Sequence, residues 1–106
     1  MERFRLEDFH KGWVVGNFKP TLFLTGDFEV GVKHFNEGQI EESHFQKVAT
    51  EITIVVSGEI LLAGRRFFAG DVIQIPPQES ASFEAITDCD LVCIKFPSLP
   101  DDKVIV

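Results

Sequence analysis

The sequence predicts an all-β fold, a single-domain antiparallel β-barrel of the jelly-roll kind, and three observations carry that expectation. Glycines with small or polar neighbours recur at short intervals, at Thr25-Gly26-Asp27, Glu37-Gly38, Ser57-Gly58-Glu59, Ala63-Gly64 and Ala69-Gly70-Asp71. Between them lie short segments rich in Val, Ile, Phe and Thr, which suit a pleated, half-buried surface. No window sustains a helical period, and the best helical candidate is one turn around Leu6 to Phe9. Short, evenly spaced strands of this kind close into a sandwich or barrel.

The elements follow in order. An N-terminal arm of residues 1–12 precedes expected strands at Trp13–Phe18, Leu22–Leu24, Phe28–Phe35, Ser43–Val48 and Glu51–Val56. Further strands are expected at Glu59–Ala63, Arg66–Phe68, Val72–Ile75, Ser82–Ile86 and Leu91–Phe96. Ser57-Gly58 reads as a tight two-residue loop joining Glu51–Val56 to Glu59–Ala63, because glycine readily takes the positive φ of such turns, and Ala63-Gly64 closes another short hairpin. The tail of residues 97–106, PSLPDDKVIV, carries two prolines and two adjacent aspartates, which suit an extended strap over the surface better than a central strand. The whole of residues 1–106 is read as one domain, small enough that pairing with a second copy would add stability.

Charge excludes some partners. Ten basic against 17 acidic residues give a formal charge of -7, and no basic cluster exceeds Arg65-Arg66, so phosphate-backbone binding to nucleic acid is not expected. The first twelve residues are too charged for a signal peptide, and no apolar run reaches the roughly 18 residues that a bilayer demands. A soluble, cytoplasmic protein without a membrane partner is the expectation. Cys89 and Cys93 are the only cysteines and are expected to be reduced, Cys93 as a small core residue in an apolar stretch. Eleven phenylalanines and one tryptophan stand beside a complete absence of tyrosine, which removes a tyrosine general acid from any mechanism.

One segment carries chemistry. Gly38, His44, Gln46, Glu51 and Gly58 stand at spacings that resemble the first sequence motif of the cupin family, with Gln46 at the place of its second histidine. The second motif is matched at Gly70 and Pro76, whereas Gln78, Ala81 and Ala85 stand where glycine, histidine and asparagine are expected. The run HFQKVATE from His44 to Glu51 and the Asp102-Lys103 pair of the tail are also similar to small stand-alone cupins of unassigned function. The resemblance implies a small barrel with a site inside and, since cupins often pair through their N-terminal strands, Trp13–Phe18 as an edge for a homodimer. In cupins that carry a metal it further implies a divalent transition ion (Zn, Fe, Mn or Ni alike) held by the histidines and glutamate of these motifs, here His44, Glu51 and, as a substitute amide, Gln46.

Strand alternation puts His44, Gln46 and Val48 on one face and Phe45 and Lys47 on the other, and it groups Glu51, Thr53 and Val55 on the adjoining strand. With the first set pointing inward, as in the cupin pattern, a carboxylate lies beside an imidazole inside an apolar barrel, and the buried charge needs a partner. One reading makes Glu51 and His44 a catalytic acid–base pair or metal ligands; the other makes them a satisfied polar cluster in which Glu51 bonds the imidazole. His34 shares a face with Val30 and Val32, and a hairpin between its strand and Ser43–Val48 would bring it to His44 and rebuild two histidines and a carboxylate. Gln46, Thr53, Phe83, Ala81 and His34 are the candidate ligand-binding residues, the small Ala81 and Ala85 enlarging a cavity that Phe83 would otherwise fill. Glu41, Glu42, Asp101 and Asp102 read as solvated loop charges.

Three functions follow. The first is a module binding a small polar molecule, such as a sugar or sugar derivative, at a degenerate metal site, with no cofactor or a divalent transition metal. The second is an isomerase, epimerase or lyase acting on a carbonyl-bearing or sugar substrate, and the third is a dimeric structural scaffold.

Overall fold

The computed structural model describes residues 1–106. Two short 3-10 turns, Leu6–Asp8 and His10–Gly12, lead from the N-terminal arm into ten strands. These are β1 Trp13–Val15, β2 Glu29–Phe35, β3 Ile40–Gln46, β4 Thr50–Ser57, β5 Glu59–Leu62, β6 Arg65–Phe68, β7 Val72–Ile75, β8 Ala81–Ala85, β9 Cys89–Phe96 and β10 Lys103–Ile105. They form two five-stranded sheets, ordered β1-β2-β9-β4-β7 and β10-β3-β8-β5-β6, and every ladder within them is antiparallel. No helix is long and apolar enough to cross a membrane.

Alternation decides what the two sheets enclose. At one end Val55, Ile60, Leu62, Phe83, Ala85, Cys89 and Leu91 pack into a common core. Phe35 of the first sheet meets Phe83 of the second at 4.6 Å between ring centroids, so one aromatic pair bridges the layers and floors the barrel. At the other end the inward positions are polar, which is where a site can form.

Four sequence expectations change. Ser57-Gly58 is not a hairpin: β4 is already paired on both edges, by β9 and β7, so the chain turns the corner at Gly58 and enters the second sheet as β5. Gly58 holds φ 84°, and a Cβ there would run into the Asp88 carbonyl oxygen. Ala63 and Gly64, at φ 51° and 76°, do close the expected two-residue hairpin, pairing Leu62 with Arg65.

Leu22–Leu24 forms no strand, only a single bridge from Leu24 to Gly16, and all three of its residues are exposed. The tail does not remain a strap; Lys103–Ile105 adds β10 to the edge of β3. Asp102 fastens it there. Its buried carboxylate accepts hydrogen bonds from the Val48 and Ala49 amides, both at 3.0 Å, so this residue is not the solvated loop charge expected. Glu41 also leaves that group, since it lies within β3 and pairs with Lys103 at 3.7 Å.

A candidate ligand-binding cavity

The polar end of the barrel is built by three cross-strand rows. β9 runs through the middle of the first sheet, and its Lys95 is flanked in register by Glu29 of β2 and Glu51 of β4, three charged residues side by side. In the next row Cys93 lies between Gly31 and Thr53. Trp13 sits opposite Gly31, whose missing side chain makes the room: a Cβ at Gly31 would come within 2.7 Å of the indole. The third row, Lys33, Leu91 and Val55, leads down to the apolar core.

β3 supplies the facing wall. Its ladder with β8 slips between Glu41 and His44, where three steps on β3 match two on β8, from Phe83 to Ala81. This bulge gives Glu41 and His44 the same orientation despite their odd separation, and both line the interior.

The cavity so formed has a volume of about 270 Å³. Charge dominates its lining: four of the chain's six lysines, Lys11, Lys33, Lys95 and Lys103, face three glutamates, Glu29, Glu41 and Glu51. Trp13 stands among them, with the Lys33 and Lys95 ammonium groups each 5.1 Å from its ring centroid. Under the C-terminal tail a second recess of about 340 Å³ shares Glu29, Lys95 and Lys103 with the cavity and adds Gln46.

Most of the carboxylates have partners. Glu51 accepts a hydrogen bond from Thr53 Oγ1 at 3.2 Å and lies 3.9 Å from the Lys95 ammonium, both side chains 14 % exposed. Glu29 accepts from the buried Ser98 hydroxyl at 2.9 Å. Lys33 donates to the Lys11 carbonyl at 2.8 Å, and burial pulls its pKa below the ordinary lysine value. Burial, reinforced by the Glu51 charge, pushes the Cys93 thiol up to about 11 and leaves it protonated. Both cysteines are free, and four residues along one strand put them about 13 Å apart, beyond the reach of a disulfide.

The residues singled out from sequence fall into two groups. His44, Gln46, Glu51 and Ala81 line one small recess of about 20 Å³, while Thr53 and Phe83 line the main cavity beside it. Phe83 is 7 % exposed and forms the floor without closing the space above. His34 lies apart. Its strand β2 belongs to the other sheet from β3, so the expected hairpin does not form, and His34 faces outward onto Asp90 at 2.8 Å and Asn36 at 3.2 Å.

The expected Glu51–imidazole bond is also missing. His44 Nδ1 donates to the Glu42 carbonyl at 3.0 Å, which leaves Nε2 for the interior. Gln46 is 6 % exposed, and its Nε2 has no hydrogen-bond partner.

This donor set does not fit a transition ion. Around the recess it offers one imidazole, the Glu51 carboxylate already beside a lysine, the Glu79 carboxylate at an exposed position, one amide, and a methyl group at Ala81. Nowhere do three or more His, Cys, Asp or Glu side chains gather closely enough to hold a metal.

No protein-family model and no curated protein matches the sequence. Solved structures do match. An uncharacterised protein with a double-stranded beta-helix domain from Klebsiella pneumoniae superposes with a TM-score of 0.78 at 18% identity, over 98% of this chain and 90% of that one. A cupin protein from Bacteroides fragilis gives 0.59 at 26% identity, over 67% and 66% of the two chains. The chain has a cupin-type, double-stranded beta-helix fold. A third similar structure, a sugar phosphate isomerase of the cupin superfamily from Silicibacter pomeroyi, gives 0.63 at 17% identity, over 69% of this chain and 52% of that one.

Within this cupin-type barrel, the sequence reading missed Trp13 and, of the seven Lys and Glu side chains that line the cavity, all but Glu51. A signal was present in Lys95, a lone charge inside the apolar run Leu91 to Phe96 at the inward-facing parity of Leu91 and Cys93.

Proposed function

We propose that this cupin-type domain is a binding module for a small polar metabolite, taken into the barrel end beneath Trp13. One observation carries the reading: a cavity of about 270 Å³, lined by both charges and one indole above an aromatic floor, is of the size and make-up that a monosaccharide-sized molecule requires. The likeness to a sugar phosphate isomerase agrees with a sugar derivative as the ligand. The degenerate motifs agree with binding that runs without a metal, because Gln46 in the first and Ala81 in the second replace imidazoles and Lys95 supplies the positive charge beside Glu51.

Trp13 is the only tryptophan, so its emission reports on the cavity alone. Titration of the native chain with a panel of monosaccharides and their derivatives is expected to shift that emission saturably. The same panel followed by calorimetry on Trp13→Phe keeps the assay independent of the reporter. A panel without a saturable response in either assay would overturn the reading.

A second reading, acid–base catalysis on a carbonyl-bearing substrate, draws on His44 and Glu51 facing one recess with His44 Nε2 free. It predicts that Glu51→Gln abolishes turnover of a bound ligand while leaving its affinity nearly unchanged. The reading extends to a homodimer, supported by the edge position of β1 and by Leu22, Phe23 and Leu24, which are 51 %, 62 % and 59 % exposed nearby in the chain. Mass measured in solution tests it.

A further inference from the structure

The unspent hydrogen-bonding capacity of the barrel interior points to the charge of its ligand. Gln46 Nε2 is a donor buried without an acceptor, in a side chain 6 % exposed. The Lys95 ammonium has the Glu51 carboxylate only at 3.9 Å, and the Lys103 ammonium has Glu41 at 3.7 Å, both beyond hydrogen-bond length. These three donors line one recess, and the two lysines also open onto the main cavity.

The orphaned amide and the Lys95 ammonium, 14 % exposed and without a hydrogen bond, are costly to keep facing one space unless an acceptor enters it, and the half-exposed Lys103 adds positive charge at its rim. The neighbouring carboxylates do not fill that need. Glu29 is held by Ser98, Glu51 by Thr53, and Asp102 by two backbone amides, while Asp101 is exposed. Within the main cavity lysines outnumber glutamates four to three, in a chain whose formal charge is -7.

We propose that the interior takes a small hydroxylated molecule bearing an oxyanion, a carboxylate or a phosphate monoester, seated against Lys95, Lys103 and the Gln46 amide. The proposal deepens the binding reading and rests on it. The lysine beside Glu51 then does electrostatically what a metal ion does at the related position of metal-carrying barrels: it balances the glutamate and presents positive charge to the ligand.

Three probes and two variants test it. Gluconate, glucose 6-phosphate and neutral glucose are titrated into the native chain, Lys103→Ala and Gln46→Leu, with heat and Trp13 emission as readouts. At least one charged probe is expected to bind about tenfold or more tightly than glucose, with a preference that weakens as salt rises. Whichever of gluconate and glucose 6-phosphate binds identifies the oxyanion as carboxylate or phosphate.

Lys103→Ala, at a half-exposed position, is expected to lower that affinity by about tenfold with no change for glucose. Gln46→Leu is the sharper variant. Replacing an orphaned donor with an apolar group of similar size leaves the melting temperature equal or higher, yet weakens binding of the charged probe. Equal affinity for glucose and both charged probes would overturn the oxyanion and leave the binding module standing. Undiminished charged-probe binding in both variants would overturn the donor set. Absence of charged-probe binding overturns the proposal, and the neutral members of the monosaccharide panel then decide separately whether the cavity binds at all.

Discussion

Glu51 and Lys95 face each other across the β4–β9 ladder, 3.9 Å apart, each side chain 14 % exposed. The buried carboxylate that the motif places inside the barrel therefore has a lysine as its cation, and the imidazole next to it turns to a backbone carbonyl instead. Removing one member of such a pair leaves an uncompensated charge in a region of low dielectric. Lys95→Met is expected to destabilise the domain by about 1–3 kcal/mol in denaturant unfolding, and Glu51→Gln added to it is expected to restore part of that loss. Additive losses in the double variant would show that the two charges are not coupled.

Asp102 makes the tail part of the fold. Its two carboxylate oxygens take the Val48 and Ala49 amides, and its own carbonyl accepts from the Lys47 amide at 2.9 Å, so the β3–β4 connection and the tail are clamped together. Asp102→Ala strands two amides, one of them fully buried, and is expected to cost about 2–4 kcal/mol. Proteolysis within residues 97–106 of the native chain should accelerate in the variant; an unchanged cleavage rate would mean that β10 docks without the clamp.

The reach of sequence reasoning tracks what is local. Alternation placed His44, Gln46, Glu51 and Thr53 inside, and the motif spacing brought His44, Gln46, Glu51 and Ala81 to one recess, because strand parity holds within an unbroken ladder. Glu41 was lost at the β3 bulge, where an extra residue flips the parity that would have marked it as inward. The pairing of β4 with β9 and the outward face of His34 depend on which strands meet across dozens of residues, and no local pattern fixes that. Gly58 shows the same limit: its need for positive φ was legible, but whether it turned a hairpin or a corner between sheets was not.

That corner yields a clean test of backbone strain. Gly58 combines φ 84° with direct contact to Asp88 and Cys89, so an alanine there meets both a disfavoured dihedral and a backbone carbonyl that cannot swing away. Gly64, at φ 76°, has open space around it and carries only the dihedral cost. Gly58→Ala is expected to lose roughly 2–4 kcal/mol and Gly64→Ala roughly 1 kcal/mol in parallel unfolding experiments. Equal losses at the two sites would mean that the Asp88 segment yields to the added methyl.

His34 and Asp90 form a charged pair on the outer face, 2.8 Å apart, with Asp90 also accepting from Ser57 at 2.8 Å. The Asp90 hydrogen bond raises the His34 pKa above the ordinary imidazole value, and the same bond, aided by Ser57, holds Asp90 below the ordinary carboxylate value. The signs fix the window. The histidine's contribution to stability is fully present below the ordinary imidazole range and is lost as pH rises through its raised folded pKa, while the aspartate's is present above the ordinary carboxylate range and is lost as pH falls through its lowered one. The pair is therefore strongest in mildly acidic solution. Both side chains are about half exposed, so solvent screening keeps the effect small, and a site-resolved measurement is the suitable one. In an NMR titration the His34 midpoint should lie above the ordinary imidazole value and fall towards it in Asp90→Asn, whereas a His34 midpoint indifferent to that substitution would place the imidazole elsewhere in solution.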